Sequence, residues 1–346
     1  MSLSISPLRG QTRRLRSFTN IGTGDALRSV ASRDLSTACL GGWSYDGRLR
    51  GLTMAIQVGG HVSSSGGIFT AIDRALAIEA EACQIFESAP QTWRPTKHTD
   101  AAIAQFKARR AESGLGQVWI HNIYLANLAS EDPLMIEKSV TSVVNAMTVG
   151  AAIGAEGIVL HTGSHKGLGL AAVLDRVVDS LQRILDAAPA GPLLALETMA
   201  GQGGTIGTKF SDLGTLLRTV NSPRLATCLD TCHSFAAGYD IRTKDGLKAA
   251  LAEYDGEIGL DRLAVVHAND SKTPLGGFRD RHENIGDGFL GVEAFELLMG
   301  HPAFASKAFL LEVPGMATEK SPKGDGPDLE NVRRLKAIRD GVPVPR

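Results

Sequence analysis

An aspartate and a histidine stand three residues apart where an apolar segment ends, in the stretch LATCLDTCHSFAAGYD (225–240). Burying an unpaired carboxylate is costly, so Asp230 needs a cation or a set of hydrogen-bond donors as its partner. Five other apolar segments end at or beside a residue type that binds divalent metals. These five residues are His121, His161, Glu197, His267 and Glu312, and Asp230 is the sixth. A single such histidine is more often structural, but the coincidence at six successive segments predicts a metal centre.

Three further residues of ligand type follow these segments, in what the sequence predicts to be loops: His233, Asp280 and His282. In an extended chain the side chains of residues two positions apart point to the same side, so Asp280 and His282 can share one ion. Nitrogen and oxygen ligands without a required thiolate suit zinc, and they also tolerate manganese or iron. Nine ligands are too many for one tetrahedral ion, but with bridging carboxylates they suit two or three. Such ions attract a phosphate and activate water.

The elements that must position these residues alternate along the chain from Met54 onward. Amphipathic stretches such as 67–82 and 137–155 separate short apolar runs. The runs are 54–62, 82–88, 117–124, 157–164, 192–200, 225–233, 263–271 and 308–314. Apolar strands alternating with helices indicate a parallel sheet covered on both faces. Eight such units predict an α/β fold, a single (β/α)8 TIM barrel whose active site lies at the C-terminal face of the strands, with an open doubly wound sheet as the alternative.

Composition and charge narrow the class of protein. With 43% hydrophobic and 21% charged residues the chain is an ordinary globular protein, and no apolar run reaches membrane-spanning length. Four cysteines form no disulfide framework, which favours a reducing compartment. Eight arginines against three aspartates give residues 1–50 a net charge of +5, so the remainder carries −6. Three divalent cations would neutralise that remainder.

The first 53 residues are rich in Ser, Arg and Gly and lack apolar periodicity. Three interpretations stay open for them: a disordered tail, a mis-assigned start, and an organelle-targeting segment, which the Arg- and Ser-rich opening fits. The second rests on Met54, because the sequence MAIQVGGHVSSSGG reads as a natural beginning. We therefore divide the chain into an N-terminal extension, 1–53, and a barrel domain, 54–340.

From about Met54 to Glu312 the chain resembles endonuclease IV, the metal-dependent apurinic/apyrimidinic endonuclease of base-excision repair. The resemblance runs through GGHVSSSGG, HNIYLANL, VLHTGSH, LETMAGQGGTIG, LDTCHSFAAGYDIRT, VVHANDSK, FRDRHENIGDG and LLEVPG. These motifs are long, specific and in the family's order.

The resemblance implies ligands for each of three zinc ions, with manganese or iron as an alternative at one position. It places His121, His161 and Glu197 on the first ion. Glu197 also bridges to the second, which Asp230, His267 and Glu312 complete, and His233, Asp280 and His282 hold the third. It also implies that Glu197 is catalytic and helps to orient or deprotonate the attacking water.

The implied reaction is hydrolysis of the phosphodiester 5′ to an abasic site in duplex DNA, leaving a 3′-hydroxyl. Flipping a nucleotide out of the stack is easiest where the base is missing, which supplies part of the selectivity. Removal of 3′-blocking groups is implied as well. We expect a monomer that acts on DNA and not at a membrane. The expected location is the cytoplasm, as for a bacterial-type protein, unless residues 1–53 direct it to an organelle.

The DNA-contacting positions match the family only in part. Tyr124 and Trp93 agree with it and are predicted DNA contacts, as is Gln91. Ser88 and Gln91 stand where the family usually has a Lys and an Arg before Trp93. That Arg typically enters the duplex at the lesion, so we expect a weaker or differently built wedge here. Arg281 lies in a predicted loop and could contact phosphates.

Two other functions remain open at this level. A metal-dependent sugar isomerase or epimerase on the same barrel typically retains a set like Glu197, Asp230, His267 and Glu312. An inert DNA-damage binder would need no intact ligand set. The five additional ligands distinguish the endonuclease from both, and they are His121, His161, His233, Asp280 and His282.

Overall fold

The computed structural model describes residues 55–345, so the predicted extension 1–53 lies outside the described residues. Within 55–345, strands and helices alternate along most of the chain. The strands are β1 (Gln57–His61), β2 (Ala82–Ile85), β3 (Val118–His121), β4 (Gly157–Leu160), β5 (Leu193–Glu197), β6 (Leu225–Asp230), β7 (Leu263–His267), β8 (Asp270–Ser271), β9 (His282–Glu283) and β10 (Ala308–Leu311). The α-helices are α1 (Thr70–Ala77), α2 (Asp100–Ser113), α3 (Pro133–Ile153), α4 (Leu170–Ala187), α5 (Phe210–Val220), α6 (Thr231–Ala237), α7 (Lys244–Glu257), α8 (Gly291–Met299) and α9 (Leu329–Asp340).

A closed parallel barrel contains every strand of this set except β8 and β9, which pair with each other. Its order around the barrel is β1, β2, β3, β4, β5, β6, β7 and β10. The last strand closes the ring, since Ala308 pairs with Gln57 on one side and Val265 on the other. The prediction of a TIM barrel is confirmed, and the open sheet is wrong because β1 has a parallel neighbour on both edges.

Side chains alternate across each strand, so one set fills the barrel and the other packs under the helices. A small buried cluster of strand residues lies inside the barrel. It contains Ala82, Trp119, Val159, Ala195, Cys228, Val265, Ala308 and Leu310. Two larger apolar clusters consist of strand and helix residues and lie in the first and second halves of the domain. The strands are therefore buried on both faces, which explains their near-continuous apolar sequences.

Helix ends follow from local hydrogen bonding. The side chain of Asp132 accepts the backbone N–H of Leu134 at the start of α3, and Gly154 in the left-handed conformation ends that helix. Thr99 and Gly114 bound α2 in the same way. These caps fix where α2 and α3 begin and end. Between residues 55 and 345, no helix has the length and apolarity needed to cross a bilayer.

The strands end where the ligand-type residues begin. His121, Glu197, Asp230 and His267 are the last residues of β3, β5, β6 and β7. His161 and Glu312 come directly after β4 and β10.

The prediction that the remaining three ligand-type residues lie in loops is wrong for two of them. His233 lies in α6, because Asp230 caps a helix that begins at the very next residue. His282 lies in β9, because its backbone pairs with Ser271 of β8. Only Asp280 lies outside a helix or strand.

Candidate metal centre

The carboxylate of Glu197 lies at the centre of the barrel mouth and is fully buried. Its Oε2 atom is 3.3 Å from His121 Nε2 and 3.0 Å from His161 Nε2. Its Oε1 atom is 3.1 Å from His267 Nδ1 and 3.2 Å from His233 Nδ1. Each oxygen therefore faces a different pair of imidazoles, which is the arrangement that a bridging carboxylate requires.

A second group of ligand atoms surrounds His267 Nδ1, which is 3.3 Å from Glu312 Oε2 and 3.8 Å from Asp230 Oδ2. Together with Glu197, these residues offer one imidazole nitrogen and three carboxylates within 4.8 Å of one another. Like charges this close repel each other in a buried site unless cations lie among them. The donor set fits a divalent ion.

The third group consists of His233, Asp280 and His282. The Nε2 atoms of His233 and His282 each lie 3.2 Å from an oxygen of Asp280. Both nitrogens are buried, and neither makes a hydrogen bond of acceptable geometry. Two buried imidazole nitrogens without partners are costly, and an ion between them and Asp280 would satisfy both.

The electrostatics of the cluster also favour a cation. Burial alone would lower the pKa of His282, but the adjacent carboxylate of Asp280, 3.2 Å from its Nε2 atom, and the charge of Asp230 raise it to about 9. Burial opposes ionisation of Asp280 as well, yet the neighbouring His233 and His282 hold its pKa below the usual range. The carboxylates thus create a negative potential that stabilises positive charge, whether on a protonated imidazole or on a metal.

A buried aspartate that the sequence analysis missed supports the third group. Asp270 accepts the backbone N–H groups of Ser271 and Leu290 at one oxygen, and those of Gly286, Gly288 and Gly291 at the other. These bonds close the segment 270–291, which carries Asp280 and His282. The sequence signal for Asp270 is the polar run HANDSK, which begins at the end of β7. From the sequence this run is recognised only as one of the family's motifs.

The predicted DNA-contacting residues differ in how exposed their side chains are. Tyr124 is 53% exposed, and its ring centroid is 5.3 Å from that of His121 and 5.8 Å from that of His161. Gln91 is exposed, whereas Trp93 is half-buried with Lys138 Nζ 6.0 Å from its ring centroid. Arg281 is exposed and donates to the carbonyl of Asp280. The exposed ring of Tyr124 thus lies at the rim of the candidate centre.

Ser88 does not occupy a position that could contact DNA. It is buried, and its hydroxyl accepts the backbone N–H of Thr96 at 2.9 Å. The family usually has a Lys at this position, whereas the short side chain of Ser88 closes the base of the loop that carries Gln91 and Trp93.

The fold and the three adjoining ligand groups define a class: a TIM-barrel protein with a candidate multinuclear metal centre at the C-terminal mouth. A family model described as xylose isomerase-like TIM barrel matches residues 72–338. A probable endonuclease 4 of Geotalea daltonii is 40% identical over 292 residues, covering 84% of this chain and 99% of the relative. The crystal structure of endonuclease IV from Thermus thermophilus aligns with a TM-score of 0.71 at 33% identity, covering 83% of this chain and 100% of that one.

This chain belongs to the endonuclease IV family, as its motifs indicated. A D-tagatose 3-epimerase-like protein aligns with a TM-score of 0.60 at 19% identity, covering 83% of this chain and 96% of that one. At that identity the likeness shows the shared barrel alone.

Proposed function

We propose that this protein hydrolyses the phosphodiester on the 5′ side of abasic sites in duplex DNA. Water adds to the phosphorus, the bond to the 3′ oxygen breaks, and that oxygen leaves as a 3′-hydroxyl. The same chemistry would remove blocking groups from 3′ ends. The proposal includes zinc as the metal, with manganese or iron at one position as an alternative, and a chain that acts as a monomer.

One observation carries this proposal: the number and grouping of the ligand atoms. The four residues that a sugar isomerase or epimerase would use form one group, Glu197, Asp230, His267 and Glu312. Two further groups of nitrogen and oxygen ligands adjoin it, one with His121 and His161 and one with His233, Asp280 and His282. His282 also forms a group with Asp230 and the thiol of Cys232. A single-ion isomerase has no use for five additional buried or half-buried ligands, whereas a multinuclear phosphodiesterase needs them.

When bound, divalent ions at these groups would neutralise phosphate charge and polarise the attacking water. The residues of the chain determine the geometry in which this happens. Glu197 faces His121 and His161 with one oxygen and His267 and His233 with the other, so it fixes the separation of the first group from the second and third. We assign to it the further task of orienting the attacking water.

The DNA contacts of the proposal begin at the rim of the mouth. Tyr124 is exposed beside His121 and His161, where it can contact a nucleotide that has left the stack. Arg281 is exposed next to Asp280, where it can pair with a backbone phosphate. Extruding an abasic nucleotide costs less than extruding one that carries a base, which favours damaged duplex as the substrate.

The decisive experiment is a nicking assay with full-length protein on a duplex containing one abasic site, with an undamaged duplex in parallel. We expect cleavage 5′ to the lesion, and its loss on incubation with a chelator. Glu197→Gln should reduce the rate by roughly 10²- to 10⁴-fold. Glu112→Gln makes the same change on the exposed face of α2 and should leave the rate unchanged. Absence of nicking, together with epimerisation of a ketose, would replace the proposal with its alternative.

A further inference from the structure

One strand of the first half of the barrel contributes a polar side chain to the metal centre without contributing a predicted ligand. Gln84 lies in β2, in the apolar run ACQIFES, and is fully buried. A buried primary amide needs partners for both its oxygen and its nitrogen. It finds them among the ligand-type residues.

The amide of Gln84 bridges two of these residues. Its Oε1 atom is 2.9 Å from His267 Nε2, and its Nε2 atom donates to Glu312 Oε1 at 2.7 Å. The same nitrogen is 3.1 Å from His61 Nδ1. Gln84 thus joins His267 to Glu312 on the side of the cluster away from Glu197.

Hydrogen-bond chemistry fixes which way this amide points. An ionised carboxylate only accepts, so the amide atom 2.7 Å from Glu312 is the nitrogen. The amide oxygen therefore faces His267 Nε2, which must carry the proton. The lone pair of His267 is then on Nδ1, the atom that lies 3.1 Å from Glu197 and 3.3 Å from Glu312.

We propose that Gln84 is a positioning residue for the metal centre: it holds His267 in the tautomer whose Nδ1 can bind an ion, and it orients the carboxylate of Glu312 toward that ion. Hydrogen bonds from outside a ligand set commonly fix ligand tautomer and orientation in this way. This inference rests on the metal binding in the proposed function.

A purely structural role for Gln84 gives a different expectation. Methionine matches glutamine in length and fills nearly the same volume, so Gln84→Met removes the two hydrogen bonds with little change in packing and leaves His267 Nε2 and Glu312 Oε1 without that partner. If Gln84 only fills space, Gln84→Met should bind metal like the wild type. If Gln84 positions ligands, Gln84→Met should fold but bind one ion more weakly.

The test is a zinc titration of full-length protein against a chromophoric chelator, which needs no catalytic turnover. We expect Gln84→Met to weaken the binding of one ion by roughly 10- to 100-fold. The absorption spectrum of the cobalt-substituted protein should also shift, since ligand geometry sets its bands. Gln84→Glu keeps an acceptor for His267 Nε2 but cannot donate to Glu312 and sets a second carboxylate beside it, so it should not restore the cobalt spectrum of the wild type.

Gln117→Met is the matched control. Gln117 lies just before β3, at the opposite end of the strands, and bonds Trp119 Nε1 and the carbonyl of Ser306. It should affect thermal stability but not the zinc titration. Should Gln84→Met fail to fold, Gln84→Leu takes its place in the same titration.

The outcomes separate this inference from the proposed function. Wild-type protein that binds no zinc would overturn both. Wild-type protein that binds zinc, alongside an apolar Gln84 variant whose affinities agree with it within about twofold, would overturn the positioning role alone, because an outer hydrogen bond of this kind normally changes affinity more.

Discussion

Asp230 accepts the backbone N–H of His233 at 2.7 Å, so a candidate metal ligand is also the N-cap of the helix that carries another. The second oxygen of Asp230 accepts from Asn269 Nδ2 at 2.7 Å. The carboxylate is therefore held from two sides before any ion is bound. The bond from the His233 N–H fixes the start of α6 at the end of β6, and so it sets the distance between the second and third ligand groups.

Asp270→Asn should loosen the segment that carries Asp280 and His282. An amide nitrogen at this position would face backbone N–H groups that now donate to a carboxylate oxygen, and unsatisfied buried donors cost about 1–3 kcal/mol each. We expect a lower melting temperature and the loss of one bound ion, measured by calorimetry and metal analysis. Asp186→Asn, on the exposed face of α4, is the control. Unchanged metal content in Asp270→Asn would show that the segment needs no such anchor.

The stability of metal-free protein should fall as the pH rises from about 6.5 to about 9. The folded pKa of His282 is about 9, against an ordinary value of 6.5. A raised folded pKa contributes stability that is fully present below the unfolded pKa and is lost as the pH passes the folded one. Melting in the presence of chelator should show this decline, and His282→Gln should reduce it.

Metal should reverse that dependence, because an ion binds the neutral imidazole and must therefore displace the proton of the imidazolium form. Zinc affinity should therefore increase between pH 7 and 9. An affinity that is flat across this range would mean that His282 is already neutral in the metal-free protein.

Gln91→Arg should tighten binding to abasic duplex by roughly two- to tenfold at fixed salt, since an added cation in the loop that we predict to contact DNA gains a phosphate contact. Gln91 is exposed, so the longer side chain fits without repacking. The measurement is fluorescence anisotropy in the Glu197→Gln background, which prevents cleavage. Gln182→Arg adds the same charge on the outer face of α4. Equal effects from the two variants would refute a wedge role for this loop.

Gly59→Ala should destabilise the barrel because β1 and β2 approach closely there. A Cβ atom on Gly59 would lie 1.8 Å from the carbonyl oxygen of Ala82, so the strands would have to separate. We expect a loss of about 1–3 kcal/mol or more in urea unfolding. Gly256→Ala is the contrasting variant, since its Cβ meets open space in α7. It should gain about 0.5–1 kcal/mol, and a comparable loss there would show that helix propensity does not govern that site.

The barrel could be predicted from sequence because its strands are buried on both faces and therefore read as short apolar runs. The clustering of these side chains could be predicted because a His, Asp or Glu at the end of such a run is otherwise costly, and the ends of parallel barrel strands meet at one face. The sequence predicts a loop at His233 because α6 has only 7 residues, too few for helical periodicity to be visible.

Other features depend on contacts between distant segments that no local pattern reveals. The hydroxyl of the buried Ser88 accepts the backbone N–H of Thr96, and Gln84 makes hydrogen bonds to residues 183 and 228 positions away. The five backbone donors of Asp270 likewise come together only in the folded chain. Single polar residues inside apolar runs are the signal that could have drawn attention to Gln84.

Metal content is the most direct measure of whether the barrel mouth holds a multinuclear centre. Full-length protein prepared without chelator and dialysed free of loose ions would be assayed for metals by mass spectrometry against a protein concentration from amino-acid analysis. We expect about three divalent ions per chain, since the ligand groups exceed what one four-coordinate ion can use. One ion or none per chain, in a preparation that still nicks abasic duplex at full rate, would contradict the multinuclear centre.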